Sequence, residues 1–218
     1  MDQNIIERFK KLDVANVSDA LDKMGIPCGL LGIHAVVPGH RICGPAFTVH
    51  YIPNGTIKGN VGDFLDDVKP GEVVVIDNSG RLNCTVWGDI MTFVSKTKGI
   101  EGTVIDGVCR DIPGIKACDY PIFTKSTYMV TGKDRVTVDH VNVPVSISGV
   151  QVCPGDLILA DDTGAICIPA VAAEKALEIA EGIDDTEKKI VEEIKKGMSL
   201  KDARAKLGYH KLQTKEEK

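Results

Sequence analysis

The stretch Val86 to Pro113, VWGDIMTFVSKTKGIEGTVIDGVCRDIP, reads as a turn, a helix, a glycine break and a buried strand. Ile90, Phe93 and Val94 recur at helical spacing after Gly88-Asp89, which predicts that Asp89 sits at a helix N-terminus, where unpaired backbone N–H groups attract anions. Lys96, Lys98 and Gly99 suit the end of that helix, and Gly102-Thr-Val-Ile-Asp106 is a β-branched run of the kind found in buried parallel strands. In such a unit the loop after the strand is the usual ligand-binding edge, so Asp106 to Asp111 are expected where the sheet presents polar groups.

Outward from this unit, 218 residues suit one domain over 1–208 with a short tail over 209–218. A helix is expected from Ile5 to Met24, and a short one over Gly59 to Val68. Glu72-Val-Val-Val-Ile76 is the clearest buried strand, ending in Asp77-Asn-Ser-Gly80, which is turn chemistry with Asp77 as a secondary candidate. A short helix through Lys116 is expected after Asp111. Alternation from Val136 to Ile147 predicts antiparallel strands, and Leu157–Leu159 and Ala165–Ile168 predict a hairpin turning at Asp161-Asp162. Ala170 to Lys196 is a charged amphipathic helical region with a break expected near Gly182. Ser199 is placed to cap a last short helix ending at Gly208, and 211–218 are expected to fray.

A net charge of −5 without a basic patch argues against nucleic acid as a partner. No run is long enough to span a bilayer and the first residues lack a signal-peptide core, so the expected location is the cytoplasm. Seven cysteines without a C-x-x-C pair read as free, mostly buried thiols, with Cys109 set apart by its neighbour Arg110, a cation able to lower a thiol pKa. Histidines 34, 40, 50, 140 and 210 are scattered without zinc-ligand spacing. No phosphate-binding loop, nucleophile elbow or zinc-protease motif occurs. What remains is rich in oxygen ligands. Asp89, Asp106 and Asp111 suit a hard divalent ion such as Mg2+ or Mn2+, and Arg110 suits an anionic substrate; the bland alternative is an Arg-Asp pair that only ties a loop. Lys98 and Lys116 read as solvated charges.

These residues carry a resemblance. An aspartate, twenty intervening residues and Arg-Asp, here Asp89 and Arg110-Asp111, resemble the enzymatic branch of the RraA-like family. Val17-Ser-Asp-Ala-Leu21, Gly44-Pro-Ala-Phe-Thr-Val49, Val104-Ile-Asp-Gly107, Pro154-Gly-Asp-Leu157 and Ala160-Asp-Asp-Thr-Gly164 extend it over residues 14 to about 170. That branch holds class II pyruvate aldolases acting on 4-hydroxy-4-methyl-2-oxoglutarate and 4-carboxy-4-hydroxy-2-oxoadipate. The resemblance implies an α/β fold of the swivelling ββα type with C-terminal helices, assembled as homotrimers or homohexamers with sites between subunits. It implies that Asp111 binds the metal directly, that Asp89 does so through a water, that Arg110 meets the keto or enolate oxygen, and that the N–H groups of Ile90 and Met91 receive the substrate carboxylate. It also implies an acidic residue from a neighbouring subunit's C-terminal region, and here the match has a gap, since none of Glu181, Glu187, Glu192 and Glu193 is singled out for it. The implied reaction is metal-dependent cleavage of a 2-oxo acid to pyruvate, with oxaloacetate decarboxylation through the same enolate. The alternatives are a non-catalytic regulator of ribonuclease activity, which is another branch of the family, and a lyase acting on a different 2-oxo or sugar acid.

Overall fold

The computed structural model describes residues 2–56, 59–209 and 212. Two short helices, α1 (Gln3–Phe9) and α2 (Val14–Lys23), precede β1 (His34–Ala35) and the long strand β2 (Ile42–Pro53). A 3₁₀ turn over Asp63–Asp67 leads to β3 (Val73–Asp77), α3 (Asp89–Lys98), β4 (Gly102–Cys109), α4 (Ile112–Cys118) and β5 (Ile122–Thr127). Then come β6 (Val136–Val141), β7 (Val145–Ile147), β8 (Val150–Val152), β9 (Leu157–Asp161), β10 (Gly164–Ile168), α5 (Ala173–Lys195) and α6 (Leu200–Lys206).

The main sheet runs β1-β5-β4-β3-β2-β9-β10, with β6 also paired to β2. Strands β2, β3, β4 and β5 are mutually parallel, while β9, β10 and β6 join antiparallel. This is the α/β architecture expected. Period-two alternation divides the core: Val74 and Ile76 of β3 pack with Trp87, Ile105 and Ile115 under α3 and α4, while Val73 and Val75 face Val104, Phe123 and Ile158 on the other side. A third cluster buries Phe9, Val17, Leu21, Leu177 and Ile183 against β9 and β10, which ties the terminal helices to the sheet.

Several boundaries differ from expectation. The helix expected over Ile5 to Met24 is two helices, because Arg41 draws the carbonyls of Lys10 and Leu12 to itself at 3.1 and 2.9 Å and ends the first. The break expected near Gly182 does not occur. Gly182 costs a helix interior about 1 kcal/mol, and burial of Leu177, Ala180 and Ile183 on the same helix outweighs it. The helix expected over Gly59 to Val68 shrinks to the 3₁₀ turn. Ser199 does cap α6, accepting from the Asp202 N–H at 3.1 Å, and Gly208 follows in the left-handed region. The tail expected over 209–218, with His210, lies outside the described residues apart from Tyr209 and Leu212. No described helix is long and apolar enough to cross a membrane.

Candidate active site

Residues 85–87 run alongside the end of β4 like a short added strand. The Thr85 hydroxyl lies 2.9 Å from the Trp87 carbonyl and 3.0 Å from that of Val108, and the Arg110 N–H donates to the Trp87 carbonyl at 3.0 Å. The first turn of α3 is thereby brought against the loop that leaves β4. Trp87 anchors the junction: its buried indole N–H donates to Thr92 Oγ1 at 2.9 Å and its ring stacks on Tyr120. Thr92 in turn donates from its hydroxyl to the Gly88 carbonyl at 2.8 Å, which pins the helix start.

Asp89 is the first residue of α3, and Asp111 caps α4 with φ +60°, the left-handed conformation that aspartate tolerates better than most residues. The two helix starts face each other. Asp111 Oδ2 lies 3.2 Å from Arg110 Nε and accepts from the Asp89 N–H at 3.4 Å. Two glycines allow this approach. A Cβ on Gly88 would fall 2.6 Å from Asp111 Oδ2, and one on Gly114 would fall 2.8 Å from the Asp89 Cβ.

The group borders an open cavity of about 430 Å³, to which Asn60, Trp87 and Lys133 also contribute. Asp89, Ile90, Met91, Arg110 and Asp111 all line it. The Ile90 N–H is turned to Asp89 Oδ1 at 2.8 Å, whereas the Met91 N–H belongs to the first turn, which has no helical acceptor. Two carboxylates, two cations and a helix N-terminus thus share one hollow, an arrangement suited to a cation together with a small anion.

Asp106 does not join them. It is 4 % exposed inside β4, takes Lys125 Nζ at 2.5 Å and accepts from the Ser148 N–H at 3.1 Å, so it is a structural clamp on the β7–β8 hairpin. Asp77 accepts from the Ser79 and Ser146 N–H groups, and Asp161 from those of Thr163 and Val14; both are turn and packing residues. Burial pushes the Cys109 thiol up to about 12, so Arg110 does not activate it. The cysteines are free. Lys98 is not simply solvated: its Nζ donates to the Leu65 and Asp66 carbonyls at 2.7 Å and finishes the 3₁₀ turn. Among the C-terminal acids, Glu181 pairs with Arg8, Glu187 accepts from Asn16, and Glu193 holds Lys196 and Lys206. Ile90 and Phe93, whose helical spacing announced α3, are 78 % and 65 % exposed, and the buried side of α3 is Thr92 and Ser95. Lys133 and Asn60 were not legible as site residues, since a lone lysine in a Thr-Gly-Lys turn and an asparagine beside glycines look like loop chemistry.

Residues 14–167 match the family model described as RraA-like, Aldolase/RraA. The chain is 39 % identical over 209 residues to the protein DlpA of Legionella pneumophila, covering 94 % of this chain but only 34 % of DlpA, so it spans about a third of that relative. It is 34 % identical over 177 residues to a Halalkalibacterium halodurans protein named "Putative 4-hydroxy-4-methyl-2-oxoglutarate aldolase", covering 81 % of this chain and 82 % of that one. The crystal structure of Streptomyces coelicolor RraAS2, described as an unusual member of the RNase ES inhibitor RraA protein family, superposes with a TM-score of 0.79 at 29 % identity, over 86 % of this chain and 96 % of the other. With most of the chain matched and the fold shared, this protein belongs to the RraA-like (Aldolase/RraA) family.

Proposed function

We propose that the chain is a divalent-metal-dependent carbon–carbon lyase that cleaves 4-hydroxy-2-oxo di- and tricarboxylic acids to pyruvate and a second 2-oxo acid, and that decarboxylates oxaloacetate through the same enolate. The observation that carries this reading is the meeting of Asp89, Arg110 and Asp111 on one open cavity at the start of α3.

The donor set fits a hard ion. Two carboxylates border the cavity, and the absent side chain at Gly88 makes the room that Asp111 Oδ2 occupies. In this reading Asp111 would hold Mg2+ or Mn2+ directly and Asp89 would do so through a water. When bound, the ion withdraws electrons from the 2-oxo group and favours the enolate. The chain's own residues do the rest. Arg110 faces the keto oxygen, where negative charge grows as the C3–C4 bond breaks, so its attraction is stronger in the transition state than in the ground state. The Met91 N–H, and that of Ile90 once Asp89 turns outward, receive the substrate carboxylate at the helix N-terminus. Lys133, which also lines the cavity, supplies a second cation for the distal acid. A water held at Arg110 takes the 4-hydroxyl proton in aldol cleavage, the C4 oxygen becomes the carbonyl of the second 2-oxo acid as C3–C4 breaks, and C3 of the enolate is then protonated to give pyruvate. In oxaloacetate the same bond breaks with loss of carbon dioxide, and C3 is then protonated to give pyruvate.

Exposed Ile90 lines the cavity, and exposed Met129 lines a neighbouring hollow that shares Arg110 and Asp111, which supports assembly as a homotrimer or homohexamer with the site at a subunit boundary.

The test is pyruvate release from oxaloacetate and from 4-hydroxy-2-oxo acids with Mg2+, with and without chelator, in the parent and in Asp111→Asn. Asparagine keeps the left-handed backbone without penalty, whereas alanine adds roughly 1–2 kcal/mol of strain there. Chelator-sensitive turnover lost in Asp111→Asn is the expected result. No metal-dependent pyruvate from any of these acids moves the assignment to a protein-binding regulator, the reading favoured by likeness to an RNase ES inhibitor family member.

A further inference from the structure

Away from this cavity, a β-bulge assembles a second set of metal-type ligands. Strands β2 and β6 pair His50 with His140 and then Tyr51 with Val138, so Asp139 is the extra residue that the ladder skips. Consecutive residues in a regular strand point to opposite faces; the bulge removes that alternation and lets Asp139 and His140 both turn toward His50. His50 Nδ1 lies 3.2 Å from Asp139 Oδ2, and His140 Nδ1 lies 2.8 Å from the same oxygen. Among the described residues, this is the group of three His, Cys, Asp or Glu side chains whose ligand atoms all fall within 4.8 Å of one another.

We propose that His50, Asp139 and His140 form a surface site for a borderline transition-metal ion, Zn2+ being the first choice. Donors around a tetrahedral zinc are about 3.3 Å apart, given metal–donor bonds of roughly 2.0–2.1 Å; the His50–Asp139 separation of 3.2 Å already matches, and the His140–Asp139 contact of 2.8 Å has to open by about 0.5 Å when an ion replaces the shared proton. Two imidazoles and one carboxylate are the donor set of zinc chemistry, whereas an ion held by Asp89 and Asp111 would see oxygen alone, so the two sites select different metals. The side chains are 34 %, 31 % and 64 % exposed, which leaves coordination positions open to water or to a ligand atom from outside. No lysine or arginine ion pair engages Asp139 among the described residues, so the carboxylate has no stronger cation to satisfy. Loading the ion needs lone pairs on both imidazoles, so it exchanges ring protons and N–H···O contacts for coordination bonds. The inference is independent of the reaction proposed above.

The experiment uses the full chain carrying Asp111→Asn, which silences the oxygen-ligand site. Zn2+ is titrated by calorimetry and Co2+ by its ligand-field absorption. The expected result is one Zn2+ per chain, unaffected by millimolar Mg2+, weakened by more than about 100-fold when His50→Gln and His140→Gln are added. In the same samples Zn2+ raises the melting temperature of the Asp111→Asn protein and not that of the variant lacking both histidines. Zn2+ binding of unchanged strength without the two histidines overturns the proposal, as does the absence of saturable binding in the Asp111→Asn protein. Should His50→Gln lower the metal-free melting temperature, His140→Gln alone, on the most exposed of the three side chains, carries the same comparison.

Discussion

Gly88→Ala isolates the placement of the Asp111 carboxylate from everything else in the fold. Gly88 has φ −147° and ψ −168°, an extended conformation open to any residue, so alanine meets no backbone strain. Its Cβ would stand 2.6 Å from Asp111 Oδ2, while Arg110 Nε and Cγ, at 3.6 and 3.7 Å, are at ordinary contact. Ordinary contact begins near 3.4 Å, so the carboxylate must retreat by about 0.8 Å, and as the end of a side chain it can do so by rotating. Stability should then hold or rise slightly, because glycine-to-alanine changes at compatible positions gain about 0.4–1 kcal/mol from the unfolded state. Catalysis should not hold. Misplacing a reacting group by about 1 Å costs up to roughly 100-fold, so a loss of about 10–100-fold in kcat/KM is expected, or about 1.4–2.7 kcal/mol of transition-state stabilisation.

The assay is coupled pyruvate release from oxaloacetate with saturating Mg2+, beside thermal melts of the same preparations. Activity within twofold of the parent in a well-folded Gly88→Ala protein would refute the reasoning, because it would mean that Asp111 need not stand where it does. A large drop in melting temperature would refute it differently, by making Gly88 a requirement of the fold.

Gly114→Ala should behave otherwise. Its Cβ would sit 2.8 Å from the Asp89 Cβ, an atom tied to the backbone, so α3 and α4 must part; a stability loss of about 1–3 kcal/mol together with lost activity is expected in chemical denaturation and turnover. Thiol labelling of the native protein at pH 8 should modify Cys118 and Cys153, which are partly exposed, and spare Cys109, which is buried with its thiol pushed up to about 12; mass spectrometry showing rapid Cys109 labelling would contradict its packing role. Arg8 holds the Glu181 carboxyl below its ordinary 4.5 through two hydrogen bonds between α1 and α5. The sign is that of a depressed acid: its contribution is complete above pH 4.5 and fades as pH falls through the lower folded value. Glu181→Gln should therefore be less stable than the parent at pH 7, by a margin that narrows as the pH is taken progressively below 4.5, read by urea unfolding across the series; a deficit that stays constant as the pH falls would sink this account.

What the sequence made legible was local, and what it hid was decided by partners far along the chain. The helix after Gly88 and the strand after Gly102 follow from short-range chemistry: Gly99 takes φ +71° at the helix end, and the β-branched run is buried throughout. Asp89, Arg110 and Asp111 lie at the two ends of that unit, so their convergence required only that the chain return to the edge it left. Asp106 belongs to the same stretch and was misread, because its partners Ser148 and Lys125 come from later segments and no pattern around residue 106 announces them. The strand also continues past it, with a register irregularity between Ile105 and Val108, so an aspartate expected in a loop is held inside the sheet. The helix break at residues 10–13 likewise depends on Arg41, and the role of Lys98 on carbonyls more than thirty residues earlier. The His50, Asp139 and His140 group escaped for the same reason: neither the strand pairing nor the bulge is written at either end alone, and scattered histidines become a ligand set only when two distant strands are laid in register. Short-range pattern therefore identifies which residue types are available, and strand register decides which of them meet.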